Sequence, residues 1–308
     1  MAKTKIRLDF CDFWPGFNKT NNLFYNWLQE RFDVEICDQP DFLIYSNPLT
    51  HVHRVHNCVK IFFCVEDFAP DFTECDYALT CHQLNAPRNL RFPYYVLGTN
   101  PQLLIKAPDE AEKLLAQKTK FCSFVFSYAN HKTKIRNNFF QQLSKYKKVD
   151  SGGRAFNNIG GPIPPGANAK CNFLSAYKFN IAFENASVPG YTTEKIAEAM
   201  RARSLPIYWG NPHIDKEFNK RSFLNYFDFP SEEALIEKII ELDKDDAKYL
   251  EYAREPYFHN NIPNELFDHK RFLDFFETIF STKITPVSQK RSVFQIGRWI
   301  AVKQNKPH

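Results

Sequence analysis

The segment 177–212, YKFNIAFENASVPGYTTEKIAEAMRARSLPIYWGNP, combines residue types that could bind an anionic ligand. An apolar strand, a Pro-Gly turn and a helix follow one another there, and the helix is expected to begin at Thr192 or Thr193, which are good N-cap residues. The positive end of the helix dipole stabilises a carboxylate such as Glu194 and disfavours a cation such as Lys195. A lysine at this position is explained if an anion binds there, as phosphates do at helix N-termini. The pair indicates hydroxyl binding by Glu194 and phosphate binding by Lys195, or else a solvated helix start with a local ion pair.

Arg154 follows two glycines in the segment 149–161, VDSGGRAFNNIGG, which holds four of the chain's ten glycines. Glycine gives a loop backbone freedom, and a guanidinium is a permanently charged, bidentate donor. The combination predicts a contact with a diphosphate. The alternative is a plain loop with a surface arginine.

Glu66 and Asp67 directly follow the apolar run 61–65. A carboxylate at the end of a buried strand is expected to be partly desolvated, which suits a general base that works near neutral pH. The alternative is an acidic turn before Pro70.

Short apolar runs alternate with helical patterns along the chain. Strands are predicted over residues 5–10, 42–46, 59–65, 121–127, 179–183 and 206–209, and helices over residues 21–32, 135–146, 193–203 and 232–242. This alternation is typical of parallel sheets covered on both faces, so we predict an α/β protein with two Rossmann-like halves. Ligands bind beyond the carboxyl ends of strands in such sheets, which is where the three segments lie.

The polar segment 107–120 is the expected boundary between the halves. It gives an N-terminal domain of residues 1–115, a C-terminal domain of residues 116–282 and a tail of residues 283–308. Residues 292–308, SVFQIGRWIAVKQNKPH, pair apolar with basic side chains. A basic amphipathic helix of this kind binds an anionic membrane surface, or it docks on the protein itself.

Composition restricts the class of protein further. The 308 residues suffice for about two domains, and 40 basic against 35 acidic residues give a net charge of +5, too mild to indicate nucleic-acid binding. The sequence contains no run of about 18 apolar residues, so a membrane-spanning helix is not predicted. The first ten residues, MAKTKIRLDF, do not resemble a secretory signal. The eight cysteines are therefore expected to be reduced, mostly buried thiols.

Two clusters raise the question of a metal, and neither predicts a site. Asp243-Lys244-Asp245 is a D-x-D sequence at the end of a charged helix, where a solvated face is the better interpretation. The histidines of HVHRVHNC, residues 51–58, match no common zinc spacing, and the segment is interpreted as a half-exposed, histidine-rich connecting loop.

Together these segments resemble the α-1,3-fucosyltransferases of the bacterial Lewis-antigen type, glycosyltransferase family 10. The signature is KFNIAFEN, GYTTEKIAEA and LPIYWGNP, and further matching stretches are DFLIYSNPL (41–49), FCSFVFSYAN (121–130), GGR (152–154), FNKRSFLNYFDF (218–229) and RFLDFFETIF (271–280). The resemblance implies a GT-B fold, in which two Rossmann-like domains face a central cleft. The N-terminal domain would bind the acceptor and the C-terminal domain GDP-fucose.

The resemblance also implies a role for eight positions. These are the base at Glu66, diphosphate contacts at Arg154 and Lys195, the ribose ligand at Glu194, donor-site residues at Asn185 and Tyr191, and acceptor contacts at Phe13 and Trp14. Fucose would pass with inversion to the 3-hydroxyl of GlcNAc in Gal-β1,4-GlcNAc, which is Lewis X synthesis on a lipopolysaccharide or oligosaccharide. No metal would be required, although Mg²⁺ or Mn²⁺ could stimulate the reaction.

The sequence departs from the family pattern at Phe68, where relatives often have a second acidic residue. Asp67 therefore stays an alternative base. Leucine-rich heptads near the carboxyl end, common in relatives, are absent from the sequence. The expected location is the cytoplasm, at the inner face of the membrane. The rival functions are a GT-B transferase that uses another nucleotide sugar and a non-catalytic carbohydrate-binding relative.

Overall fold

The computed structural model describes residues 2–46 and 50–289, and these fall into two compact units. The first unit takes the described residues up to Phe92 and those from Asp268 onward, and the second takes Pro93–Phe267. Up to Phe92 the elements are β1 (Lys5–Cys11), α1 (Leu23–Arg31), β2 (Asp33–Ile36), β3 (Phe42–Tyr45), β4 (Val59–Cys64), β5 (Tyr77–Thr80) and β6 (Asn89–Arg91). The second unit contains α2 (Tyr94–Gly98), α3 (Glu110–Leu115), β7 (Lys120–Phe124), α4 (Lys134–Leu143), β8 (Val149–Ser151), α5 (Ala167–Ser175), β9 (Tyr177–Phe183), α6 (Glu194–Arg201), β10 (Leu205–Trp209), β11 (Leu224–Asn225), α7 (Glu232–Lys244) and α8 (Asp246–Ala253). The helix α9 (His269–Ser281) follows.

The strands of the first unit form a sheet with the order β2-β1-β3-β4-β5-β6 within the described residues. Every neighbouring pair is parallel. The central strand β4, VKIFFC, is buried along its whole length, as expected for a parallel strand covered on both faces. The carboxyl ends of β1 and β4 therefore meet at one edge of this sheet.

The helix α9 completes the core of the first unit. Its buried residues Phe272, Leu273, Phe276 and Ile279 recur at helical spacing. The Phe272 ring lies 5.8 Å from that of Phe24 and 5.2 Å from that of Trp27, both on α1. Residues 269–281 therefore belong to the first unit, whereas the sequence places them in the C-terminal domain.

The second unit has a parallel sheet of its own, with the order β11-β10-β9-β7-β8 in the described part of the chain. The central strand β9, YKFNIAF, is buried throughout. Parallel sheets that are separate for each unit confirm the predicted α/β class with two Rossmann-like halves. The carboxyl ends of β7, β8, β9 and β10 share an edge, and the predicted donor residues follow these strands.

The division between the units falls before Pro93 and not after residue 115. The Arg203 guanidinium donates to the carbonyl oxygens of Leu103 and Ile105, both at 2.9 Å. The ammonium of Lys106 donates to the Ala253 carbonyl oxygen at 2.6 Å. Within the segment 107–120, which the sequence suggests as the boundary, Glu110 Oε1 lies 2.7 Å from Arg203 Nε. The predicted boundary segment therefore belongs to the second unit.

Three further expectations concern cysteines, membrane spans and the tail. All eight cysteines lie among the described residues and are unpaired, and five of them are buried. Within residues 2–46 and 50–289 no helix has both the length and the apolar character that a membrane crossing requires. The predicted amphipathic segment 292–308 lies outside the described residues.

Candidate active site

A buried carboxylate, Glu184, follows β9 at the carboxyl edge of the second sheet. Its side chain accepts hydrogen bonds from the Thr193 N–H at 2.7 Å, the Thr193 hydroxyl at 2.6 Å and the Lys195 ammonium at 3.0 Å. A Cβ at Gly210 would lie 2.4 Å from Glu184 Cγ, so a side chain at position 210 would displace the carboxylate. Glu184 was not predicted as a site residue from the sequence.

These contacts define the start of α6. Thr193 occupies the N-cap position, as predicted, but its hydroxyl bonds to Glu184 and not to the helix backbone. The side chain of Lys195 is only 12% exposed. The local pair of Lys195 with Glu194 that the alternative expects is present at 3.7 Å, but the helix start is not solvated, because Lys195 also pairs with the buried Glu184.

Glu194 faces the same region and is the more accessible carboxylate, with 29% of its side chain exposed. Its Oε1 lies 3.7 Å from the Lys195 Nζ. Burial alone would raise the pKa of Glu194, but the ammonium groups of Lys195 and Lys170 bring it below its usual value. For Glu184, burial outweighs Lys195 and raises the pKa. Glu194 is thus the more exposed of the two carboxylates, and its surroundings favour its ionised form.

The loop that carries Arg154 is held tightly, which corrects the predicted flexibility. A Cβ at Gly153 would lie 2.0 Å from the Phe126 carbonyl oxygen, and one at Gly152 would lie 2.8 Å from the Phe173 ring. The Asn157 side-chain amide also donates to the Gly153 carbonyl oxygen at 2.8 Å. These two glycines are there for close packing. Arg154 itself is exposed at the loop surface.

Arg136 on α4 is a functional candidate that sequence reasoning missed. It is 3% exposed, and its guanidinium donates to Asn185 Oδ1 and to the Tyr128 carbonyl oxygen, both at 2.9 Å. Burial lowers the pKa of Arg136 to about 10, so the side chain remains a cation at neutral pH. The buried face of α4 is formed by Arg136, Phe139, Phe140 and Leu143. An arginine within an apolar stripe was the signal that could have identified it.

Arg136 brings predicted donor residues into one neighbourhood. It anchors the exposed Asn185 directly, and it holds Tyr128, whose ring lies 5.5 Å from the Arg154 guanidinium. Tyr191 is 1% exposed, and its place in the donor site stays a prediction. The cations Arg136, Arg154 and Lys195 thus lie at the carboxyl edge of the second sheet.

Glu66 and Asp67 lie just after β4 at the carboxyl edge of the first sheet, and both are exposed. The predicted desolvation of these carboxylates is therefore wrong, because the turn carries them away from the buried strand. Asp67 Oδ1 lies 3.0 Å from Nε2 of the buried His82. The buried histidine thus holds the Asp67 carboxylate at this edge.

Phe13 and Trp14 follow β1 at the same edge of the first sheet. The Phe13 ring stacks on that of Phe17 at 4.0 Å and lies 6.2 Å from that of Phe63, at the end of β4. Trp14 is 61% exposed and presents an open aromatic surface. Such a surface can pack against the apolar face of a sugar ring.

The two clusters considered for metal binding have other roles. The Asp243 side chain is 5% exposed and accepts from the Tyr146 hydroxyl, which corrects its predicted solvation. Asp245 caps α8. His53 is buried between two carboxylates, whereas the sequence suggests half-exposure. Across the described ranges, no group of three or more His, Cys, Asp or Glu side chains is placed to share a metal ion.

Two family models match the chain, one in each half. Residues 8–98 match the model "Alpha-(1,3)-fucosyltransferase FucT N-terminal domain", and residues 115–267 match "Glycosyltransferase family 10 (fucosyltransferase) C-term". The chain is 30% identical to the alpha-(1,3)-fucosyltransferase FucT of Helicobacter pylori over 84% of its own length and 62% of that protein. It is 35% identical to the 3-galactosyl-N-acetylglucosaminide 4-alpha-L-fucosyltransferase FUT3 of Bos taurus over 48% of its length and 39% of that protein. The chain thus spans less than two thirds of these curated relatives.

A crystal structure of an α1,3-fucosyltransferase with GDP-fucose superposes on the chain with a TM-score of 0.74 and 28% identity. The superposition covers 93% of this chain and 94% of the other. Two parallel α/β units and this match define the class as a glycosyltransferase of the GT-B fold, which confirms the predicted fold class. Within that class, the chain belongs to glycosyltransferase family 10, the fucosyltransferase family.

Proposed function

We propose that the chain transfers L-fucose from GDP-fucose, with inversion, to the 3-hydroxyl of GlcNAc in a Gal-β1,4-GlcNAc acceptor. The observation that carries the proposal is the match over 93% of the chain to an α1,3-fucosyltransferase with GDP-fucose. The cations at the carboxyl edge of the second sheet support it, because a nucleoside diphosphate needs positive partners at such an edge.

On the donor side, Arg154 and Lys195 neutralise the diphosphate as it leaves. Arg154 offers an exposed, permanently charged fork on a tightly held loop. Lys195 lies in the first turn of α6, where the helix dipole adds positive potential. Glu194 accepts the ribose hydroxyls, and Arg136 keeps Asn185 in place at 2.9 Å. Preorganised cations of this kind stabilise the developing charge without reorganisation.

On the acceptor side, Glu66 deprotonates the attacking hydroxyl. Cleavage of the bond from fucose to phosphate passes through an oxocarbenium-like state, and inversion requires attack from the face opposite the leaving group. The family resemblance assigns the base to Glu66, and Asp67, bonded to His82 at 3.0 Å, is the alternative. Trp14, with its exposed ring, contacts the sugar.

The first experiment measures GDP release from GDP-fucose with and without N-acetyllactosamine, and determines the product linkage by NMR. Acceptor-dependent release with an α-1,3 product supports the proposal. Transfer from a UDP-sugar, or acceptor binding without any release, would overturn it in favour of another donor or of a non-catalytic relative. An α-1,4 product would instead match the activity for which the bovine relative is named.

Variants separate the two candidate bases. We expect Glu66→Gln to abolish transfer while GDP binding is kept, and Asp67→Asn to retain activity. Asp38→Asn, which changes an exposed carboxylate of the first unit, is the matched control. An active Glu66→Gln enzyme would assign the base to Asp67.

Two finer aspects complete the proposal. With the diphosphate neutralised by side chains, transfer proceeds without a required metal, so activity should survive EDTA, and Mg²⁺ or Mn²⁺ should at most stimulate it. A basic segment at 292–308 would hold the enzyme at the cytoplasmic face of a membrane, near a lipopolysaccharide acceptor. Sedimentation of the full chain with anionic, but not neutral, vesicles tests this location.

A further inference from the structure

A buried histidine joins two loops of the first unit that carry proposed functional residues. His53 is 2% exposed, and its Nδ1 lies 2.7 Å from Asp12 Oδ2 while its Nε2 lies 3.2 Å from Glu74 Oε2. Its ring also stacks on that of Tyr45 at 4.0 Å and 13°. We call Asp12, His53 and Glu74 the histidine bridge.

The first end of the bridge controls the loop after β1. Asp12 has a φ of 58°, which is unusual for a residue other than glycine, and its side chain is wholly buried. It accepts from the His53 N–H at 2.9 Å and from the Val52 N–H at 3.2 Å. Burial alone would raise the pKa of Asp12, but the hydrogen bonds from His53 bring it below its usual value. The next residues in the chain are Phe13 and Trp14.

The second end controls the segment after β4. Glu74 is held by His53 and by Arg54, whose Nε and Nη2 lie 3.0 and 3.1 Å from its carboxylate. The Glu74 N–H donates to the Asp71 carbonyl oxygen at 2.8 Å and closes a turn. The same segment begins with Glu66, and its near end is fixed by Asp67 on His82.

We propose that His53 is a positioning residue, which fixes the acceptor-contact loop 12–17 relative to the base-carrying segment 66–74. The proposal deepens the proposed function and rests on it. A sugar that packs on Trp14 must present its hydroxyl to Glu66, and a small displacement between the two reduces transfer strongly. The bridge fixes that relation because both of its carboxylates bond to one ring whose orientation Tyr45 sets.

The test compares His53→Gln and the isosteric Asp12→Asn with His51→Gln, which changes an exposed histidine on the same turn. Hydrogen–deuterium exchange in the full chain should become faster in both 12–17 and 66–74 for the first two variants. Exchange in the second unit and in His51→Gln should match the wild type. His82→Gln should speed exchange in 66–74 but not in 12–17, since His82 bonds to Asp67 in the first of these segments.

Kinetics give the second readout. For His53→Gln and Asp12→Asn, kcat/KM for N-acetyllactosamine should fall by about tenfold or more, with a raised acceptor KM and unchanged GDP affinity. Faster exchange confined to residues 50–56, or unchanged acceptor kinetics with both loops loosened, would overturn the positioning role. An inactive wild-type chain would refute the proposed function separately, because the exchange measurements report the bridge without turnover.

Discussion

Replacement of Gly153 by alanine tests whether the arginine loop is held by close packing. The new Cβ would lie 2.0 Å from the Phe126 carbonyl oxygen and 2.5 Å from its nitrogen, whereas ordinary contact begins at 3.4 Å. The oxygen is thus about 1.4 Å too close. Both obstacles are backbone atoms, so neither a rotamer change nor a flexible side chain can relieve the clash. We expect a loss of about 3 kcal/mol in the free energy of unfolding, the upper end of typical overpacking costs.

The same displacement should weaken GDP binding, because Arg154 is the next residue. Loss of one charged hydrogen bond costs about 1.5–3 kcal/mol, so the Kd for GDP should rise about tenfold or more. Urea denaturation followed by circular dichroism and titration calorimetry with GDP measure the two effects. Gly98→Ala is the control, since its Cβ would meet nothing within 4 Å. A Gly153→Ala protein with wild-type stability and GDP affinity would refute the packing explanation.

Three further predictions concern buried groups. Glu184→Gln removes the carboxylate that accepts from Lys195 and should lower the free energy of unfolding by about 3 kcal/mol. The control is Glu237→Gln, which changes an exposed carboxylate. Equal losses of unfolding free energy in the two variants would contradict the prediction. Burial lowers the pKa of Lys106 to about 7, so above about pH 7 the unfolded chain binds a proton that the folded chain lacks, up to the ordinary lysine pKa of 10.5. The free energy of unfolding of the wild type, relative to that of Lys106→Met, should therefore rise by about 1.4 kcal/mol per pH unit in that window. Urea denaturation at a series of pH values measures it, and the same pH dependence in both proteins would contradict the prediction. Phe276→Ala should cost about 3–5 kcal/mol and speed hydrogen exchange in α1 while β9 stays protected; uniform exchange changes would count against it.

The sequence was most informative where apolar runs are long. The runs around β4 and β9 are buried over their whole length, and a continuous apolar run followed by polar residues predicts both a parallel strand and a ligand edge. The residue types predicted an N-cap at Thr192 or Thr193, and the structure has it at Thr193. Short strands such as β8 and β11, with three and two residues, carry too little pattern to be recognised.

The site residues missed by sequence reasoning depend on contacts between distant positions. Glu184 accepts from residues nine and eleven positions later, and Gly210 leaves the space that it fills. Arg136 acquires its role from Asn185, 49 positions away. The segment 107–120 looks like a boundary because it is polar. In the structure Arg203 pairs with Glu110 at 2.7 Å, and Lys118 donates to the Ser175 carbonyl oxygen at 2.7 Å, so both residues are held in the second unit. Spacing along the chain contains none of these pairings.

The return of α9 to the first unit has a consequence for synthesis on the ribosome. When Phe92 leaves the exit tunnel of the ribosome, the residues of α1 have been synthesised but Phe272 has not. Pro93–Phe267 can complete its own core first, which reverses the usual order of vectorial folding. Until α9 is synthesised, Phe24 and Trp27 of the nascent amino-terminal unit therefore lack the aromatic ring that packs against them in the folded protein.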